Sequence, residues 1–111
     1  MSENVRDQIA AIANAMQGGD PTPAEIRGME ITLAGLVYHC NKEAGAAEVA
    51  YKQAIFHSTA TSAAGRKQEA EAGPAYERLI TAKATQEACM ELLRTCRSRG
   101  RSWSSEMQLQ R

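Results

Sequence analysis

The sequence predicts an all-α protein, a long-helix hairpin with an added N-terminal helix, folded as one domain over residues 1–111. Three observations predict it. Apolar residues recur every three or four positions along most of the 111 residues, which is the period of a helix face and not the period of two that a half-buried strand shows. Ala is frequent throughout, so intrinsic propensity favours helix. Gly and Pro fall where they punctuate helices, and no segment reads as a convincing strand.

The N-terminal helix is expected over residues 1–20. Ser2 is a candidate N-cap, Glu3 stands in the first turn, and Val5, Ile9, Ile12 and Met16 step along one face until Gly18 and Gly19 stop it. The long helix is expected over 22–58. In its opening TPAE, Thr22 caps, Pro23 fits the first helical position and Glu25 is placed to bond back to the cap. Ile26, Met29, Leu33, Leu36, Cys40, Ala44, Ala47, Tyr51 and Ala54 then recur over about eight turns, large residues first and small ones later. Gly28, Gly35 and Gly45 weaken this helix by about 1 kcal/mol each relative to Ala, so packing must hold it.

HSTATSAAG at 57–65 lacks large apolar residues and gathers Ser and Thr, which predicts a break. The C-terminal helices are expected over 64–111, interrupted at Gly73, with Pro74 as the first residue of a new helix. There the stripe resumes through Tyr76, Leu79, Ala82, Gln86, Cys89, Leu93 and Cys96 and stays in phase across Gly100 to Trp103 and Met107. Narrow seams on so few helices leave apolar surface over, and self-association is the natural way to cover it, the alternative being a hairpin that buries everything within one chain.

Formal net charge is zero, yet residues 1–60 carry 7 acidic and 4 basic side chains while 61–111 carry 6 and 9. The basic excess is concentrated at the end, where residues 94–111 hold 5 Arg against the single Glu106. Such a cluster suits phosphates or an acidic partner, and equally the carbonyls at a helix C-terminus. Three Cys without regular spacing, and no charged-then-apolar leader, predict a reduced cytosolic protein without a disulfide framework. No apolar run approaches the length of a membrane span.

Chemistry is sparse. No nucleophile or general base comes with an orienting group, and a chain this short encloses no deep active site, so no enzyme activity is expected. His39 and Cys40 are neighbours pointing about 100° apart on a helix, and adding His57 gives no zinc spacing, so no metal and no cofactor is expected. Gly18-Gly19 lacks the Lys and Ser/Thr of a phosphate loop. What remains is a binding surface. Lys52, Arg66 and Lys67 flank the Ser/Thr-rich break and interleave with Tyr51, Phe56 and His57, a combination suited to single-stranded nucleic acid, although Tyr51 and Phe56 also read as core.

The order of a Tyr-Lys helix, a polar loop, RKQEAEAGPAYERL and the closing RSRGRSWSSEMQLQR resembles the short helical proteins of tailed bacteriophages similar to the UvsY recombination mediator. The resemblance covers about residues 29–111. It implies a protein of the host cytoplasm, without enzymatic activity, that forms ring-like homo-oligomers through its C-terminal helices. It also implies binding of single-stranded DNA, helping a phage recombinase to replace the single-strand-binding protein. On that footing Lys52, Arg66 and Lys67, with Arg94, Arg97, Arg99 and Arg101, are the nucleic-acid-binding residues, and Cys89, Leu93, Cys96, Trp103 and Met107 form the oligomer interface. AYKQAIFHSTATSAAG departs from the family in carrying one Lys before Arg66 where the family has several basic residues. Multivalency in a ring compensates for weak single sites. Two other readings stand beside it, a phage-encoded inhibitor of a host defence protein, which the charge balance fits equally well, and a helical adaptor of the virion.

Overall fold

The computed structural model describes residues 3–109, and side chains over 5–100. It contains four helices, α1 (Glu3–Gly18), α2 (Pro23–Phe56), α3 (Ala63–Glu71) and α4 (Pro74–Leu109), and no strand among the described residues. The all-α expectation therefore holds, and the end of α1 and the starts of α2 and α4 fall at the Gly and Pro punctuation, whereas α2 ends and α3 begins within the Ser/Thr-rich break. Thr22 caps α2, its hydroxyl accepting from the Glu25 N–H at 3.2 Å and donating to the Glu25 carboxylate at 3.0 Å, with Pro23 in the first turn. The candidate cap Ser2 lies outside the described residues.

α2 and α4 pair antiparallel along most of their length. Arg78 meets Glu43, Gln86 donates to Asn41 at 2.6 Å, Cys89 faces the Leu33 carbonyl at 3.6 Å, and Arg97 meets Glu30. α1 lies along one side of this pair. Its Arg6 shares a cleft with Glu43 and Arg78, while Met16 near its other end meets the Arg99 guanidinium, so α1 runs antiparallel to α2. The result is a rod of 70 × 24 × 20 Å with a radius of gyration of 19.1 Å, against about 13 Å for a compact chain of this length.

The core divides the rod into two halves. Where α1 is present, Val5, Ile9 and Met16 pack with Ile26, Leu33, Leu36, Cys40, Cys89, Leu93 and Cys96. Beyond it, Ala44, Ala47, Leu79 and Ala82 form a thinner seam, closed by Tyr51. The change from large to small residues along α2 thus follows whether a third helix is there to be packed against.

α3 closes the thin end. Ser62 caps it by accepting from the Gly65 N–H at 3.0 Å, and Ser58 ties the loop to it by donating to Glu69 at 2.7 Å. Tyr51 donates to Glu71 at 3.3 Å and its ring lies 5.2 Å from that of Tyr76. Ala70 is buried beneath.

Candidate nucleic-acid interface

At the tip of the rod α2 ends in its last apolar residue, Phe56, and the chain turns. The His57 N–H donates to the Gln53 carbonyl at 2.9 Å and the imidazole lies edge-on to the Phe56 ring at 5.3 Å. Phe56 is 77% exposed, so the core reading fails for it, whereas half-buried Tyr51 joins the thin seam. Lys52 is exposed one turn before Phe56, within 3.9 Å of Glu48. Arg66 donates through Nε to the Ala60 carbonyl at 2.9 Å, which staples the loop and leaves the rest of its exposed guanidinium outward. Lys67 beside it is exposed. Exposed cations and the exposed rings of Phe56 and His57 therefore cluster around a short loop.

The arginines of α4 are not a single patch. Arg94, Arg97 and Arg99 are all exposed, but successive residues turn by about 100° around a helix, so they point in three directions. Arg97 is engaged by Glu30 of α2 at 3.4 Å, Arg99 reaches back to the Met16 sulfur of α1 at 3.8 Å, and Arg94 faces away from both. The Arg101 side chain lies outside the described residues. Measured along the axis from the Arg78–Glu43 contact, Lys52 at the tip is roughly 38 Å from Arg94 and roughly 45 Å from Arg99. The six of these basic residues whose side chains are described thus divide between the two ends of the rod.

Cys89, Leu93 and Cys96, expected at the interface between copies, lie inside one copy and are 0%, 4% and 0% exposed. The hairpin closes the α4 stripe onto the α2 stripe and α1 covers what is left, so this seam is internal and unavailable to a partner. The side chains of Trp103 and Met107 lie outside the described residues. Burial raises the Cys89 thiol to about 11, with Cys40 beside it adding to the effect, and it raises Cys40 and Cys96 as well. These thiols stay protonated and fill core space.

A cleft of about 300 Å³ between α1 and α4 is lined by Arg6, Glu43, Glu77, Arg78, Thr81 and Thr85. Its best-placed carboxylate, Glu43, is held to about 2 by the Arg78 guanidinium and so is no proton carrier near neutral pH. Among the described residues no group of three or more His, Cys, Asp or Glu is arranged to hold a metal ion, and no helix is long and apolar enough to cross a membrane.

One surface is invisible when a single stripe is followed on each helix. Ile31, Tyr38, Val49 and Phe56 of α2 are all exposed, and their spacings of seven, eleven and seven put them on one face. That periodicity is the signal that could have found them.

Comparison with known proteins finds no matching family model, no similar curated protein and no similar solved structure.

Proposed function

We propose that this chain is a self-assembling single-stranded-DNA-binding protein without enzymatic activity, a recombination mediator of the kind its resemblance to the UvsY family implies. In that role it helps a phage recombinase displace the single-strand-binding protein in the host cytoplasm. The observation that carries the reading is the tip. Phe56 is held in the open with Lys52 on the same side of α2, and Arg66 and Lys67 stand in the first turns of α3 across the loop. An exposed ring offers a stacking face to an unpaired base, and the cations meet the flanking phosphates. One tip supplies few contacts, so useful affinity requires several tips on one strand, which is what assembly provides.

The test is fluorescence anisotropy with labelled oligo-dT at several salt concentrations. Wild type should bind in a salt-sensitive way. Phe56→Ala should weaken binding about tenfold or more while keeping the salt slope, and Lys67→Ala should flatten it by roughly 0.7 for the phosphate no longer neutralised. No binding by wild type at low salt overturns the reading. The scatter of Arg94, Arg97 and Arg99 around α4 favours the runner-up, a protein-directed inhibitor or virion adaptor, in which case the oligonucleotide is ignored.

A further inference from the structure

The four exposed apolar residues of α2 belong to a full helix face. At about 100° per residue, Ile31, Tyr38, Val49 and Phe56 fall within about 20° of one another, opposite the buried stripe of Leu33, Cys40 and Ala47. They are 69%, 66%, 56% and 77% exposed. A helix that is apolar on two opposite faces is ordinarily packed on both, and the single chain packs only one. Between these residues lie exposed Ala34, Gly35, Gly45 and Ala46. A Cβ built on Gly28, Gly35 or Gly45 meets nothing within 4 Å, so nothing inside the chain accounts for three helix-weakening glycines. The charges along this face are the basic Arg27, Lys42 and Lys52, with Glu48 at its margin 3.9 Å from Lys52.

The outward face of α4, on the far side of the same helix pair, has the opposite sign. It carries exposed Glu77, Glu87 and Glu91 with Ile80, Ala84 and Ala88 between them, and Lys83 and Arg94 at its margin. Lys42 and Lys52 are ten residues apart, as are Glu77 and Glu87. Laid antiparallel, α2 of one copy on α4 of the next sets Lys42 against Glu87 and Lys52 against Glu77. The same register brings Val49 to Ile80, and Gly45 to Ala84 where two backbones approach closely. A parallel arrangement with the same charge spacing carries Ile31 and Tyr38 past the start of α4 at Pro74, so the apolar residues decide for the antiparallel one.

From this complementarity we infer that a second copy of the chain occupies the outer face of α2, docking head-to-tail through the outer face of its α4. The contact is heterologous, and its repetition closes a ring or extends a filament. Because α2 and α4 are antiparallel within each chain, every rod in such an assembly points the same way, and all the Phe56 tips come to one edge. The inference rests on the self-assembly part of the proposed function and not on its nucleic-acid part.

Charge reversal read by light scattering tests it. Lys42→Glu with Lys52→Glu should reduce the mass to that of a single chain, as should Glu77→Lys with Glu87→Lys, and mixing the two variants should restore the wild-type mass by alternating co-assembly. Gly45→Leu, which has room within the chain, should also lower the mass while circular dichroism shows undiminished helix. A wild-type monomer overturns the inference together with the self-assembly reading. Wild-type mass in either charge variant, or no recovery on mixing, overturns the interface alone, and oligo-dT binding by the wild type is judged separately.

Discussion

Arg78 grips Glu43 with two hydrogen bonds, Nε at 2.8 Å and a terminal nitrogen at 3.2 Å, and so pins the first turns of α4 to the middle of α2. It stands where the thick half of the rod gives way to the thin half. The guanidinium lowers the Glu43 carboxyl from 4.5 to about 2. A depressed carboxylate contributes stability that is present above its unfolded value and disappears as pH falls through its folded value. Thermal stability should therefore decline from about pH 4.5 down to about pH 2. Glu43→Gln should melt lower than wild type at neutral pH and show a shallower decline over that window. An unchanged pH profile in the variant would remove this pair from the acid response.

The buried thiols give a second readout. Cys40, Cys89 and Cys96 are all inside the thick half and protonated. Since the thiolate is the reactive form, an aromatic disulfide reagent should leave native protein unmodified at neutral pH and titrate three thiols once denaturant is added. Rapid labelling of any of them in the native state contradicts their placement.

Gly65 is a position where the smallest side chain matters. A Cβ there would sit 2.9 Å from the Ser62 hydroxyl oxygen and 3.3 Å from the Ala60 methyl. Gly65→Ala should thus displace the cap of α3 and cost about 1 kcal/mol, whereas Gly35→Ala, with open space around it, should leave the fold of the single chain intact or firmer. Denaturant melts of the two variants separate these outcomes.

Leu33 is fully buried between the helices, so Leu33→Ala should cost about 3 kcal/mol. Ile31→Ala two residues away, on the exposed face, should hardly move the denaturation midpoint of the single chain. Equal losses would mean that both faces of α2 are covered.

Much of the fold is legible in the sequence because a helix face has a fixed period. The stripe from Ile26 through Ala47 is buried apart from half-buried Met29, and its counterpart from Leu79 through Cys96 apart from half-buried Gln86, and Thr22, Pro23, Gly73 and Pro74 mark boundaries because they satisfy or refuse backbone hydrogen bonds. The candidate site is less legible. Spacing along α4 does not say that Glu30 of a different helix takes Arg97, or that Met16 receives Arg99, since those partners are brought in by the hairpin. Nor does a seam announce whether it closes within a chain or between chains, which is why Cys89, Leu93 and Cys96 read equally well either way. Phe56 is exposed because it lies on the face of α2 opposite the buried stripe.

The division of the core gives the rod a gradient of local strength. Leu, Ile and Met side chains from three helices fill one half, whereas Ala44, Ala47 and Ala82 leave little apolar area to lose in the other. Breathing motions should start at the alanine end, and amides near α3 should exchange with solvent through openings far smaller than global unfolding. The end that presents Phe56 is then also the end that can change shape at little cost to the rest of the molecule.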